Sequence, residues 1–144
     1  NLLGIILMQL SKKEEAELFI RKALDLQPKN SSALNNLASI FADIGEYEKA
    51  ERFTRLAIEY DPDNSQFHNN LGIILKQLNK LKESKYCFER AIYLQPGFIS
   101  AINNLADVLL RLGDHSKAIK NYRIALSLCP WSILASYGLD IDKD

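Results

Sequence analysis

Between residues 34 and 41 the apolar side chains stand at Leu34, Leu37, Ala38 and Phe41. That i, i+3, i+4, i+7 spacing places all four on one face of an α-helix. The stripe ends at Gly45, and after "GEYEK" a second stripe of Ala50, Phe53, Ala57 and Ile58 continues with helical spacing. "DPDN" closes it, because a proline disfavours helical geometry in the residue before it. The pattern predicts two helices joined by a turn and stopped by a proline.

The pattern recurs down the chain. Pro28, Pro62, Pro96 and Pro130 follow one another at a constant interval of 34 residues. On that ruler Leu3, Leu37, Leu71 and Leu105 share a slot, and Gly4, Ala38, Gly72 and Ala106 share the next. A third slot holds Leu7, Phe41, Leu75 and Leu109. Small residues return at Ala16, Ala50, Ser84 and Ala118, and again at Ala23, Ala57, Ala91 and Ala125. Helix axes approach to about 8 Å only where side chains are minimal, so these slots mark contacts between neighbouring helices. Leucines and aromatics such as Phe41, Phe53, Phe88 and Tyr122 fill the spaces between. Each unit reads as two helices.

The spacing Leu37-Ala38, Phe41, Gly45, Tyr47, Ala50, Ala57, Pro62 resembles the tetratricopeptide repeat (TPR). The resemblance covers nearly the whole chain, in units 1–30, 31–64, 65–98 and 99–132, with a partial capping helix over 133–144. Departures are mild: the tryptophan-like slot holds Leu34, His68 and Ile102, and Ser84 replaces an alanine. What the resemblance implies is an all-α, right-handed α-solenoid of stacked antiparallel helix pairs, about four repeats long. First helices would line a concave groove and second helices a convex back.

Three units open their first helix with paired asparagines: Asn35 and Asn36, Asn69 and Asn70, Asn103 and Asn104. Asn36 lies about 100° around the helix from Leu37, off the core stripe, on a face with Ser39 and Asp43. The same face carries Asn70, Ile73 and Gln77, then Asn104, Asp107 and Arg111. First helices about 10 Å apart would bring one asparagine to every third residue of an extended ligand, which advances about 3.3–3.6 Å per residue. A carboxamide can donate to a backbone carbonyl and accept from a backbone N–H, so such a ladder holds a peptide without reading its sequence. It resembles the asparagine ladder in the TPR arm of O-linked N-acetylglucosamine transferase and its relatives, carried here by Asn36, Asn70 and Asn104. In the first unit Leu2 takes that slot, which ends the ladder at Asn36. The alternative is that these asparagines are solvated, or bond to one another across repeats and set the stacking. Three ladder contacts at roughly 1 kcal/mol each do not hold a ligand tightly, so apolar residues such as Ile5, Met8, Ile73 and Leu110 would add to them.

Chaperone-binding TPRs resemble one another in a basic clamp for a C-terminal carboxylate. Here the matching inner positions are Asn1, Gln66 and Asn70, or Asn35, Ser100 and Asn104, without a basic residue. Lys76 and Arg111 lie farther along the helices, where they can pair with an acidic side chain.

Composition narrows the partners. The 144 residues are 47% hydrophobic and 25% charged, with 18 basic and 18 acidic side chains that cancel, so no global field favours nucleic acid or an anionic membrane. The longest apolar run, Leu2 to Met8, is far short of the roughly 18 residues of a membrane span, and no basic stretch precedes it. Cys87 and Cys129 show no metal or redox spacing and read as free thiols in a reducing, cytoplasmic setting. His68 shares a slot with Leu34 and Ile102, and so packs, while His115 heads a helix and is exposed. Neither has a cysteine or carboxylate at metal or triad spacing, and the glycines form no phosphate loop. No active site, metal or cofactor is expected.

The chain opens inside a repeat at Asn1, without a methionine, and reads as a fragment. An array needs polar caps over its terminal core, yet Leu2, Leu3 and Ile6 border an open edge, which predicts a homo-oligomer through the terminal edges. Trp131 is expected to pack where the fourth unit meets the capping helix. The functional expectation is a protein–protein interaction module that holds an extended peptide in its groove. A substrate-recognition arm of a larger glycosyltransferase and a self-association scaffold are the competing readings.

Overall fold

A computed structural model of the chain describes residues 2–129, which form seven α-helices and no strand. They are α1 (Leu2–Leu26), α2 (Ser31–Asp43), α3 (Tyr47–Tyr60), α4 (Ser65–Gln77), α5 (Leu81–Leu94), α6 (Ile99–Arg111) and α7 (His115–Leu128). The expected positions of Trp131 and of the capping helix 133–144 lie outside the described residues.

Local chemistry sets the helix ends. Asn30 Oδ1 accepts from the Ala33 N–H at 3.0 Å, and Asn64 Oδ1 accepts from the Gln66 N–H at 3.1 Å, which caps α2 and α4. Within each later pair the turn needs one residue with positive φ, supplied by Gly45 (83°), Asn79 (59°) and Gly113 (86°). Glycine and asparagine tolerate that left-handed geometry best. The chain then reverses: the Glu46 N–H reaches the Phe41 carbonyl at 2.9 Å and the Gly45 N–H reaches Ala42 at 3.0 Å, closing the end of α2.

The first unit departs from the two-helix expectation. Ser11 takes the slot of Gly45, Asn79 and Gly113, and Lys12 to Glu15 after it are good helix formers. Nothing there favours positive φ, and α1 runs unbroken for 25 residues.

Three antiparallel pairs, α2/α3, α4/α5 and α6/α7, stack in sequence, with α3 against α4 and α5 against α6. The backbone of α2 also approaches α4, and that of α4 approaches α6, whereas α3, α5 and α7 stay apart. First helices therefore form the inner, concave row of an α-solenoid and second helices the outer row.

The repeat slots are its core. Leu37, Ala38, Phe41 and Ala50 are buried together, and the partly buried Phe53 stacks its ring on Phe41 at 5.5 Å between centroids. Ala57, Ala91, Ala118 and Ala125 are wholly buried, as their small size requires. Ser84 fits the alanine slot because its hydroxyl donates to the Gly72 carbonyl at 2.6 Å, satisfying a buried polar group.

Candidate peptide-binding face

The asparagines divide into a front and a back row. Asn35 and Asn69, first of their doublets, are buried, while Asn36 is exposed and Asn70 and Asn104 are half-buried on the inner row. Asn70 Nδ2 on α4 donates to Asn35 Oδ1 on α2 at 3.0 Å. One unit on, Asn104 Nδ2 reaches Asn69 Oδ1 at 3.5 Å, a longer contact of the same kind. Each link joins the second asparagine of a unit to the first asparagine of the unit before it.

A polar chain extends from these links. Gln66 Nε2 donates to Asn70 Oδ1 at 2.9 Å. Lys76 Nζ approaches Asn104 Oδ1 at 3.4 Å and pairs with Asp107 Oδ2 at 3.8 Å. Asp107 also accepts a 2.5 Å hydrogen bond from the Tyr122 hydroxyl. No hydrogen bond of the Asn36 carboxamide is seen among the described residues; in the register of the links its acceptor position is residue 1, which lies outside them. At the other end Asn103 Oδ1 is occluded without a partner among the described residues, and the matching donor position, 138, is a glycine in the sequence and lies outside them.

The remaining groove residues separate by exposure. Asp43, Gln77 and Arg111 are exposed, as is Ser39, whose hydroxyl bonds to the Asn35 carbonyl at 3.1 Å. Lys76 is largely enclosed, and Ile73 packs partly against Phe88 and Leu105. Leu110 is exposed on α6, and Ile5 and Met8 are exposed on α1. Asn35 and Asn69 thus support the face from behind. The repeated doublet was the visible signal of that arrangement: two adjacent positions on a helix point to different neighbours.

The convex side carries an ion-pair clip. Arg55 on α3 reaches Glu51 at 2.8 Å and Glu83 on α5 at 2.7 Å, while Lys80 reaches Glu51 at 3.0 Å. Partial burial by itself raises the Glu51 pKa, but hydrogen bonds and charge from Arg55 and Lys80 outweigh it and hold the carboxyl below its ordinary range. Beside this clip lies an open cleft of about 540 Å³ lined by Ile58, Leu71, Tyr86 and Cys87, among others. Burial pushes the Cys87 thiol up to about 11. His68 is buried at the cleft wall with Nε2 2.7 Å from the Pro62 carbonyl, so that nitrogen carries the proton and the ring ties the interhelix turn to α4. His115 is exposed at the head of α7. Among the described residues no cluster of His, Cys, Asp and Glu is placed to hold a metal ion. None of their helices is long and apolar enough to cross a membrane.

Comparison with known proteins agrees with this architecture. A crystal structure of MamA superposes with a TM-score of 0.79 at 23% identity, covering 91% of this chain and 80% of that one. MamA 41-end from Desulfovibrio magneticus RS-1 gives 0.76 at 22% identity, over 87% of this chain and 71% of that one. At this identity the likeness is one of fold, an all-helical TPR-like solenoid. No curated protein matches the sequence. A family model does: residues 7–137 match the CABIN1 N-terminal domain, and the chain belongs to that family.

Proposed function

We propose that this chain is a protein-interaction module that holds an extended segment of a partner along the concave face, over Asn36, Asn70 and Asn104. The observation that carries the reading is the orientation of the front-row carboxamides by the links behind them. A carboxamide has two N–H donors and two acceptor lone pairs. Asn70 uses one donor on Asn35 and one lone pair on Gln66, and Asn104 likewise uses one of each on Asn69 and Lys76. One donor and one acceptor remain on each, the pair that a peptide backbone complements. Because their orientation is already fixed, less side-chain entropy is lost on binding.

Selectivity comes from the exposed side chains that vary between units, Asp43, Gln77 and Arg111. Lys76 contributes little, because Asp107 already balances its charge.

The test compares proteins captured from native lysate by the chain and by an Asn36→Tyr variant. The tyrosine sits at an exposed position and obstructs the groove without breaking an inter-repeat link. An Asn36→Ala/Asn70→Ala/Asn104→Ala variant, matched for fold by circular dichroism, is the second arm, and a convex Glu89→Ala variant is the control. Proteins retained by the native chain and the control but lost from both groove variants support the reading. Identical capture by all four overturns it.

A further inference from the structure

The charge left unpaired on the inner row sits at its two ends. The inner helices α2, α4 and α6 carry Asp43, then Lys76, then Asp107 and Arg111 as their charged side chains. Lys76 and Asp107 neutralise each other between α4 and α6 at 3.8 Å. The charged residues of the turns that follow these helices are paired as well: Glu46 with Lys49, Lys80 with Glu51, and Asp114 with Lys117. Asp43 and Arg111 are exposed and have no ion pair among the described residues. They occupy the same slot two repeats apart, with the uncharged Gln77 between them. A carboxylate in the last turn of a helix faces the partial negative charge of the helix end, so Asp43 opposes α2 rather than steadying it.

We propose that the partner segment held over Asn36, Asn70 and Asn104 belongs to one chemical class, an extended stretch with a basic side chain over Asp43 and an acidic side chain over Arg111. This rests on the peptide-binding reading and adds to it the partner's charge pattern. The spacing follows from the repeat. α2 approaches α4 and α4 approaches α6, and inner helices about 10 Å apart set Asp43 and Arg111 about 20 Å from each other. An extended chain that advances about 3.3–3.6 Å per residue covers that distance in about six residues. On each helix this slot lies seven residues beyond the asparagine, close to two full turns, and so on the same face about 10.5 Å farther along the axis. A backbone lying on the asparagine row therefore meets the second row only through long side chains, lysine or arginine at one end and glutamate at the other. Between the ends Ile73 and Gln77 call for no charge. Exposed contacts of this kind add little affinity, but they discriminate, because a like charge at either end repels.

The test pans a display library of random twelve-residue peptides on the native chain, on Asp43→Lys and on Arg111→Glu, each matched for fold by circular dichroism, with Asn36→Tyr as the obstructed groove. Reversing one end at a time gives outcomes that do not depend on which way the ligand runs. Peptides enriched on the native chain are expected to carry one basic and one acidic residue about six positions apart. Asp43→Lys is expected to select two acidic residues at that spacing, and Arg111→Glu two basic ones. A peptide from the native set is expected to bind either reversed chain about fivefold more weakly at low salt, a difference that shrinks as salt is added. If Arg111→Glu lowers the melting transition, Arg111→Gln takes its place, and the selected peptides are then expected to keep the basic residue and lose the preference for the acidic one. The same charge pattern on all chains overturns the proposal and leaves the groove reading standing, as do matching charges at no fixed spacing. No enrichment over Asn36→Tyr on any chain overturns both.

Discussion

Phe88 lies across Gly72 so closely that a Cβ atom on the glycine would stand 2.5 Å from the ring Cε1. The ring is wholly buried and has nowhere to go. The same two slots hold Ala38 and Thr54 one repeat earlier and Ala106 and Tyr122 one repeat later, so the glycine here goes with this placement of the Phe88 ring. Gly72→Ala is therefore expected to cost about 1–3 kcal/mol in urea unfolding, as overpacking of a dense core does. Phe88→Leu in the same chain should recover part of that loss, giving a favourable coupling in the double-mutant cycle. Additive effects would show that the two residues do not compete for the space.

The Cys87 thiol, 5% exposed and pushed up to about 11 by burial, should be nearly inert. The thiolate is the reactive form, and lifting its pKa from the ordinary 9.0 lowers the thiolate fraction about 100-fold before access is counted. At pH 8 a disulfide reagent is expected to modify the half-buried Cys129 first and Cys87 only on unfolding. A rapid phase that survives Cys129→Ser would contradict this. Linkage has the matching sign: the folded pKa is raised, so this contribution to stability is present below pH 9 and fades as pH climbs through 11.

Much of the architecture is legible in the sequence because repeating core slots are under the same packing demand in every unit. Pro62 and the slots of Leu37, Ala38 and Ala57 mark out a helix pair, and its copies mark out the stack. Two features escape that reading. The straight α1 depends on one backbone conformation, which Ser11 does not favour and Gly45 does, while the apolar pattern on either side is unchanged. Bonds between asparagines across repeats are one reading of the sequence, but which member of each doublet is buried is hidden, because a helical wheel considers one helix and Asn70 and Asn104 arrive from another. Ser84 illustrates the same limit: its acceptor, the Gly72 carbonyl, lies on the facing helix.

The ion-pair clip on the convex face makes an acid-sensitive contribution. Glu51 has its folded pKa depressed by Arg55 and Lys80, so the contribution is present above the ordinary value of 4.5 and is lost as pH falls below it. Removing the carboxylate with Glu51→Gln should lower the melting temperature at pH 7 and leave it almost unchanged at pH 3. The partner side chains are about half exposed, and added salt should shrink the pH 7 effect. An equal loss at both pH values would assign the effect to packing of the Glu51 stem instead.

The link from Asn70 to Asn35 separates stacking from ligand binding in a single experiment. Asn35 is buried, and replacing it with alanine leaves the Asn70 N–H without its acceptor on the neighbouring helix. A double-mutant cycle over Asn35→Ala and Asn70→Ala is expected to show a coupling of about 0.5–1.5 kcal/mol, the net worth of a partly buried hydrogen bond. Asn36→Ala, exposed and outside the links, should alter stability by less than about 0.5 kcal/mol. The two positions then part in binding. Asn36→Ala should weaken capture of a groove partner without touching stability, whereas Asn35→Ala should weaken capture only by releasing the orientation of Asn70. If Asn35→Ala lowers stability yet leaves capture intact, the back row serves the stack alone, and the front row does not depend on it for its geometry.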